Sequence, residues 1–404
     1  MPSRDGGRPI GQGRHEGRAV HSDLSYPDKR DCAVRQRANI NIRNYMEHKF
    51  PYRWTLKDAV FTKDKGKVFS CFACGGGSTM GYKLAGFDVI GCNEIDPRMN
   101  KVYVENHHPR FNYLQPIQEF KLRKDLPPEL YNLDILDGSP PCSSFSTAGS
   151  RDDGWGKEKK FREGQAKQVL DTLFFDFIDL AKELQPKIVI AENVKGLLLG
   201  EAFSYVRRIY EEFDKAGYVV CHTLCDASTM GVPQRRERVF FTAVRKDLFQ
   251  YIPQHQDLFD SYPDIDLTFN EEGIPLKEFI DYKGRRFGGK ILEMWEKRKP
   301  GDTSLADVLE REEGRGSYFS EVLLDPEKVC NTLTANGNLH HFDQPCDLSE
   351  QEVKSVSTFP QDYNFMEEKS HYICGMSVPP VMMAQVASRV YEQWLSKIKT
   401  KDNV

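Results

Sequence analysis

No apolar run in this sequence approaches the roughly 18 residues that a membrane-spanning helix needs, so a helical membrane protein is excluded. The first residues lack the hydrophobic stretch of a secretory signal, and none is expected. Strong net charge is missing too: 56 Lys and Arg against 60 Asp and Glu leave −4. A chain so balanced is not a polycation, and any nucleic-acid surface on it must be a local stripe or cleft. Cysteines number 10 in 404 residues, without framework spacing, which points to free thiols in a reducing, cytoplasmic setting. Cys71 and Cys74 form a lone C-x-x-C; tetrahedral zinc needs four ligands, so no metal site is expected there. There is no internal repeat.

What is present is a soluble globular composition, 39% hydrophobic and 29% charged, long enough for one large domain or two ordinary ones. Residues 1 to about 30 are rich in Gly, Arg, Ser and Pro and are expected to be disordered, because they cannot bury enough surface to offset ordering entropy. Residues 1–66 as a whole read as an N-terminal extension. From Val68 the pattern alternates strand and helix: Val68–Phe72, Phe87–Gly91, Leu133–Leu136, Lys187–Ala191, Tyr218–Leu224 and Arg238–Ala243 read as strands, with helices between. Such alternation predicts an α/β fold, a Rossmann-like doubly wound sheet. After about residue 250 the period is lost among Pro, Gly and Asp clusters, as in a smaller, loop-rich second domain. A final helix, Val381 to Lys397, follows Pro379-Pro380.

The chemistry-bearing residues fall at strand ends. Phe72-Ala73-Cys74-Gly75-Gly76-Gly77 joins the first strand to the first helix, where glycines let the backbone turn tightly and approach a ligand. Eighteen residues beyond Gly76 stands Glu94, at a spacing suited to ribose hydroxyls. The match to G-x-G-x-x-G is poor, which favours an adenosine-bearing cofactor other than a nicotinamide. After the third strand comes Gly138-Ser139-Pro140-Pro141-Cys142-Ser143. The two prolines fix φ and remove two amide donors, aiming one thiol out of the sheet as a candidate nucleophile. Glu192-Asn193-Val194 follows the fourth strand, and Gln234-Arg235-Arg236-Glu237-Arg238 opens the last. A cysteine, a glutamate and arginines at one sheet rim can attack an electron-poor ring and balance its charge.

These six pieces, with Gly375 to Pro380 as the last, resemble the cytosine-5 DNA methyltransferases that use S-adenosylmethionine, in the family's order over about residues 67–390. The resemblance implies a DNA (cytosine-5-)-methyltransferase of bacterial restriction-modification type, or from a phage. It implies a catalytic domain over 67–260 completed by 366–404, a target-recognition domain over 261–365, and a monomer acting on double-stranded DNA in the cytoplasm, with a cognate restriction endonuclease acting separately. Cys142 would add to carbon 6 of a flipped-out cytosine; Glu192 would hold the proton at ring nitrogen 3; Arg238 would face the base oxygen and the thiolate, and Arg236 would support Glu192. The cofactor would lie against Phe72 to Gly77, Glu94, Ile95, Pro140, Leu173, Ser377 and Val378. Residues 143–169 resemble a mobile loop that closes on DNA, with Ser143, Ser144, Lys159 and Arg162 as contacts; Gln234, Arg285 and Arg286 are further candidates. Phe359-Pro360-Gln361-Asp362-Tyr363 resembles a family segment that organises the second domain.

The chain departs from the family pattern at four places. Cys74 replaces a glycine, Ile95 a frequent aromatic and Met376 an asparagine, and Gln115-Pro116-Ile117 stands where Gly-Asp-Ile is common, so an acid for the adenine amine is missing. Three rivals remain open at this stage: a tRNA cytosine-5 methyltransferase, a catalytically silent DNA-binding homologue, and a Rossmann oxidoreductase with a reactive cysteine.

Overall fold

Both faces of the central sheet are covered, which is why its middle strands read as unbroken apolar runs. The computed structural model describes residues 48–141, 172–199, 203–256, 261–314, 317–318, 321–336 and 338–399. Strands β1 (Lys67–Cys71), β2 (Asp88–Glu94), β3 (Phe111–Leu114), β4 (Ile135–Gly138), β5 (Ile188–Val194), β6 (Tyr218–Asp226) and β7 (Glu237–Arg245) form one sheet in the order β3-β2-β1-β4-β5-β7-β6. All neighbours are parallel except β7, which runs antiparallel to both β5 and β6. The strand order reverses between β1 and β4, so the crevice of an open α/β sheet lies beyond the carboxyl ends of those two strands.

The strands obey a period of two. Val189, Ala191, Phe241 and Ala243 face the helices Leu173–Leu184 and Phe203–Lys215 and meet Phe174, Phe177 and Phe213 there. Ile188, Ile190, Phe240 and Val244 point the other way, toward Tyr82 of α1 (Gly77–Leu84) and Val381 and Ala384 of the helix Pro380–Val390. Each such large side chain contributes about 1.5–3 kcal/mol on burial, so the two layers fix the sheet from both sides. Helix α2 (Pro97–His107) starts on the Asp96 carboxylate, which accepts from Arg98 N at 2.9 Å, with Pro97 in its first turn.

Three features differ from the sequence expectation. The antiparallel β7 inserted between β5 and β6 departs from an all-parallel winding. Strand β3 was not expected; it is a four-residue edge strand with alternating partial exposure, and Arg110 and Arg123 lie over Phe111 and Tyr113 at 5.0 and 5.2 Å. Strands β2 and β5 run three residues further than the sequence suggested; Glu94 is the last residue of β2, and Glu192 and Asn193 sit inside β5 rather than after it.

Described residues before residue 66 and after residue 260 share apolar clusters with the residues between them. Tyr52, Trp54, Leu56 and Phe61 join a cluster with Phe359, Tyr363 and Ile373; Trp54 Nε1 donates to Thr358 O at 3.0 Å, and the Asp362 carboxylate accepts from Leu56 N at 2.6 Å. Asp264 O accepts from Trp394 Nε1 at 2.8 Å, which ties the start of the expected second domain to the C-terminal helix. A separate small core, with Phe287, Met294, Trp295, Leu305, Leu309 and Leu323, lies beside the paired strands Val322–Leu324 and Leu339–His341. The expected disordered stretch 1–30 lies outside the described residues.

Candidate active site

The loop after β1 is wound unusually. Phe72 (φ 53), Cys74 (φ 46) and Gly76 (φ 90) all take the left-handed region, which an L side chain enters at a cost of about 1–2 kcal/mol. Hydrogen bonds hold it there: Cys74 N donates to Glu94 Oε2 at 2.7 Å, Ala73 N to Asn93 O at 3.3 Å, and Gly76 N to Ala73 O at 2.9 Å. Glu94 Oε1 accepts from Ile95 N and Asp96 N, each at 2.8 Å. Burial raises the Glu94 pKa, and these three amide bonds oppose the rise. The Cys74 thiol is pushed up to about 12 by burial and by the Glu94 charge, so it is inert at neutral pH.

The three glycines answer first to the protein's own packing. A Cβ on Gly75 would meet Ile373 Cγ2 at 2.2 Å, one on Gly76 would meet His107 Nε2 at 2.0 Å, and one on Gly77 would meet Val378 O at 2.4 Å. The sequence assigned them to a tight turn and the approach of a ligand; the close contacts with Ile373, His107 and Val378 are a third demand.

Across the crevice, β4 ends at Gly138, opposite Ala191 of β5. Ser139 and the buried Pro140 follow, and Asn193 Nδ2 donates to Pro140 O at 3.1 Å. Asn193 thus tethers the chain two residues before Cys142. Its neighbour Glu192, only 8% exposed, lies with Oε1 2.9 Å from Arg238 Nε on the adjacent β7. Burial lowers the Arg238 pKa and the Glu192 charge opposes that shift. One residue before Gly138, Asp137 is buried in β4 and accepts from Ser70 Oγ at 2.7 Å and Tyr82 OH at 3.2 Å. It shares the sheet face of Ile190 and Glu192, by the register that pairs it with Ile190. Sequence reading missed Asp137, although an acid in the apolar run Ile135-Leu136-Asp137 was a visible signal.

Residues 66–392 match the family model for C-5 cytosine-specific DNA methylase. The chain belongs to that family. It is a DNA (cytosine-5-)-methyltransferase, and the family's reaction requires a methyl donor. It is similar to the type II methyltransferase M.NgoPII of Neisseria gonorrhoeae, 28% identical over 79% of this chain and 84% of that one. M.FnuDI of Fusobacterium nucleatum is 37% identical over a shorter stretch, 45% of this chain and 48% of its own length. Among solved structures, a putative DNA modification methyltransferase encoded within an E. coli prophage has the same fold, with a TM-score of 0.55 and 19% identity over 81% of this chain and 99% of that one.

Within this methylase, several expected site residues are placed differently from their expected roles. Arg236 does not reach Glu192 through a hydrogen bond; its guanidinium is buried and donates to Leu333 O at 3.0 Å and to Gly375 O and Ser377 O at 2.9 Å each. The arginine paired with Glu192 is Arg238. Gln234 is 0% exposed and cannot meet DNA in this arrangement: its Oε1 accepts from Leu333 N at 3.0 Å and its Nε2 donates to Val356 O at 3.2 Å. Leu173 and Val378 are buried in the two sheet layers. Phe72, Cys74 and Ile95 keep partial exposure at the loop, while Ala73, the three glycines, Glu94, Pro140 and Ser377 are buried around it. Arg285 is exposed and pairs with Asp347 at 2.8 Å, and Arg286 Nη1 donates to Gln344 Oε1 at 3.3 Å. Cys142, Ser143, Ser144, Lys159 and Arg162, with the loop 143–169, lie outside the described residues. Among the described residues, no helix is long and apolar enough to cross a membrane.

Proposed function

We propose that this methylase acts on a cytosine flipped out of a specific duplex DNA sequence, with Cys142 as nucleophile and S-adenosylmethionine as methyl donor. The observation that carries the reading is the Glu192–Arg238 pair at 2.9 Å, beside the strand end that Asn193 tethers just upstream of Cys142. The Cys142 thiolate adds to carbon 6 of the ring, which makes carbon 5 electron-rich. Glu192 holds a proton at ring nitrogen 3, so that the negative charge of the adduct is neutralised as it forms. Arg238 pairs with the Glu192 carboxylate through Nε and donates from Nη1 to Glu237 O at 2.8 Å, which leaves Nη2 to face the base oxygen. Loss of the carbon 5 proton and elimination then free Cys142.

The residues around the 72–77 loop fit an adenosine-bearing donor. Glu94 presents a buried carboxylate at the end of β2, and a carboxylate has about four acceptor positions, of which amides take three. At the end of β3, Gln115 Nε2 is buried with no hydrogen-bond partner among the described residues, a donor placed where Pro116 supplies no acid. When bound, S-adenosylmethionine supplies an electrophilic methyl group. Exposed Arg285 and Arg286 on the smaller domain would meet the duplex. The monomeric state and a separately acting endonuclease belong to the same reading.

Duplex DNA carrying 5-fluorocytosine tests it. The fluorine cannot leave as a proton does, so the wild-type protein should form a denaturant-stable adduct in the presence of S-adenosylmethionine, and Cys142→Ser should form none. An adduct that persists in Cys142→Ser, or none with the wild type on any duplex offered, removes Cys142 from this role.

A further inference from the structure

The segment Phe359-Pro360-Gln361-Asp362-Tyr363, which sequence assigned to the second domain, reaches into the glycine loop. Tyr363 is buried, and its hydroxyl donates to Gly75 O. The same oxygen lies 2.9 Å from His107 Nε2. The Gly75 carbonyl can only accept, so the phenol proton goes to it, and His107 must then donate through Nε2–H. Burial keeps both rings neutral: it raises the Tyr363 pKa well above 10 and lowers that of His107 well below 6.5. The chain Nε2–H to phenol to carbonyl therefore has one direction at any working pH.

Tyr363 is itself held from both sides. Asp362 accepts from Leu56 N at 2.6 Å and Lys57 N at 3.1 Å, and Gln361 N donates to Trp54 O at 2.7 Å. Asn364 exchanges two bonds with Asn106 of α2, at 2.8 and 2.9 Å. The hydroxyl is thus a fixed point, delivered to a loop in which Phe72 and Cys74 are both left-handed. Backbone strain of that kind persists only where the surroundings over-determine it. The Glu94 carboxylate holds Cys74 N on one side of the loop, and Tyr363 holds the adjacent Gly75 carbonyl on the other.

We propose that Tyr363 is a positioning residue for the methyl-donor loop: anchored by His107, its phenol keeps residues 72–77 in their strained, ligand-ready course. This rests on the reading of that loop as the S-adenosylmethionine site. Cys74 is the point of strain, so the need for the anchor should fall when residue 74 can enter the left-handed region freely.

Isothermal titration with S-adenosylhomocysteine tests the proposal. Tyr363→Phe should bind about tenfold more weakly than wild type, the scale of one buried hydrogen bond, and its KM for S-adenosylmethionine should rise while kcat at saturation stays within about twofold. Adding Cys74→Gly to Tyr363→Phe should recover at least about half of the lost binding free energy, a non-additivity that general destabilisation does not produce. Wild-type affinity and KM in Tyr363→Phe, or a loss that Cys74→Gly leaves untouched, overturns it. Should Tyr363→Phe melt too low to assay, His107→Leu, which removes the donor behind the phenol, must show the same KM rise or the proposal fails. Failure of the wild type to bind S-adenosylhomocysteine would instead refute the cofactor reading.

Discussion

Glu192 Oε1 and Arg238 Nε stand 2.9 Å apart on neighbouring antiparallel strands, both largely shielded from water. A shielded pair is worth more broken than made: removing one partner strands the other's charge. Arg238→Met should therefore lower turnover at least about a hundredfold through the disturbed Glu192, as should Glu192→Gln, with S-adenosylhomocysteine affinity retained in both. Single-turnover methyl transfer to duplex DNA, beside calorimetric binding, checks it.

Arg236 should behave otherwise. Its guanidinium satisfies the carbonyls of Leu333, Gly375 and Ser377, so Arg236→Met leaves two buried acceptors and one part-buried acceptor without this donor. Urea denaturation should show a loss of roughly 3 kcal/mol or more, with turnover per folded molecule falling far less than in Arg238→Met.

Asp137 makes stability fall as pH rises. Burial pushes its pKa up from 3.8 to about 7, against the hydrogen bonds from Ser70 and Tyr82, and the Glu192 charge adds to the rise. Between about pH 4 and 7 the folded state then holds a proton that the unfolded state has released, so stability declines across that window and levels off above it. The decline attributable to this group is up to about 4 kcal/mol. Asp137→Asn should flatten the profile there, as read from urea midpoints at a series of pH values.

His340 has the opposite acid–base character but the same direction with pH. Burial depresses its pKa, yet Asp347 at 2.8 Å and Glu321 at 2.6 Å outweigh burial and hold it above 6.5. Its stabilisation is complete below the ordinary histidine value and is lost as pH rises through the folded one. Hydrogen exchange in Val322–Leu324 and Leu339–His341, corrected for intrinsic rates, should report more frequent opening at pH 8.5 than at pH 6, and His340→Gln should remove the difference.

The strand–helix alternation, the glycine loop, Glu94 and Glu192 were legible because each is a local pattern with a local cause. Strand β3 was not, being four residues of edge with half-exposed side chains. Neither was the insertion of β7, since strand order is a matter of non-local pairing. Gln234 and Arg236 carry polar groups that serve DNA or catalysis as readily as they serve a core, and only their burial against Leu333 and Val356 decides between these. His107 and Tyr363 stand 256 residues apart, and no spacing rule connects them.

Helix Pro380–Val390 covers part of one side of the catalytic sheet, beside Tyr82 of α1, yet it is made after every strand of that sheet. A nascent chain, or any fragment stopping short of Pro380, carries bare the apolar layer that Val381, Met382, Ala384, Val386 and Val390 would cover. Such a species has no finished interior, which makes it prey for chaperones and proteases rather than a weak enzyme. Methylation competence should therefore appear only once this helix has been made.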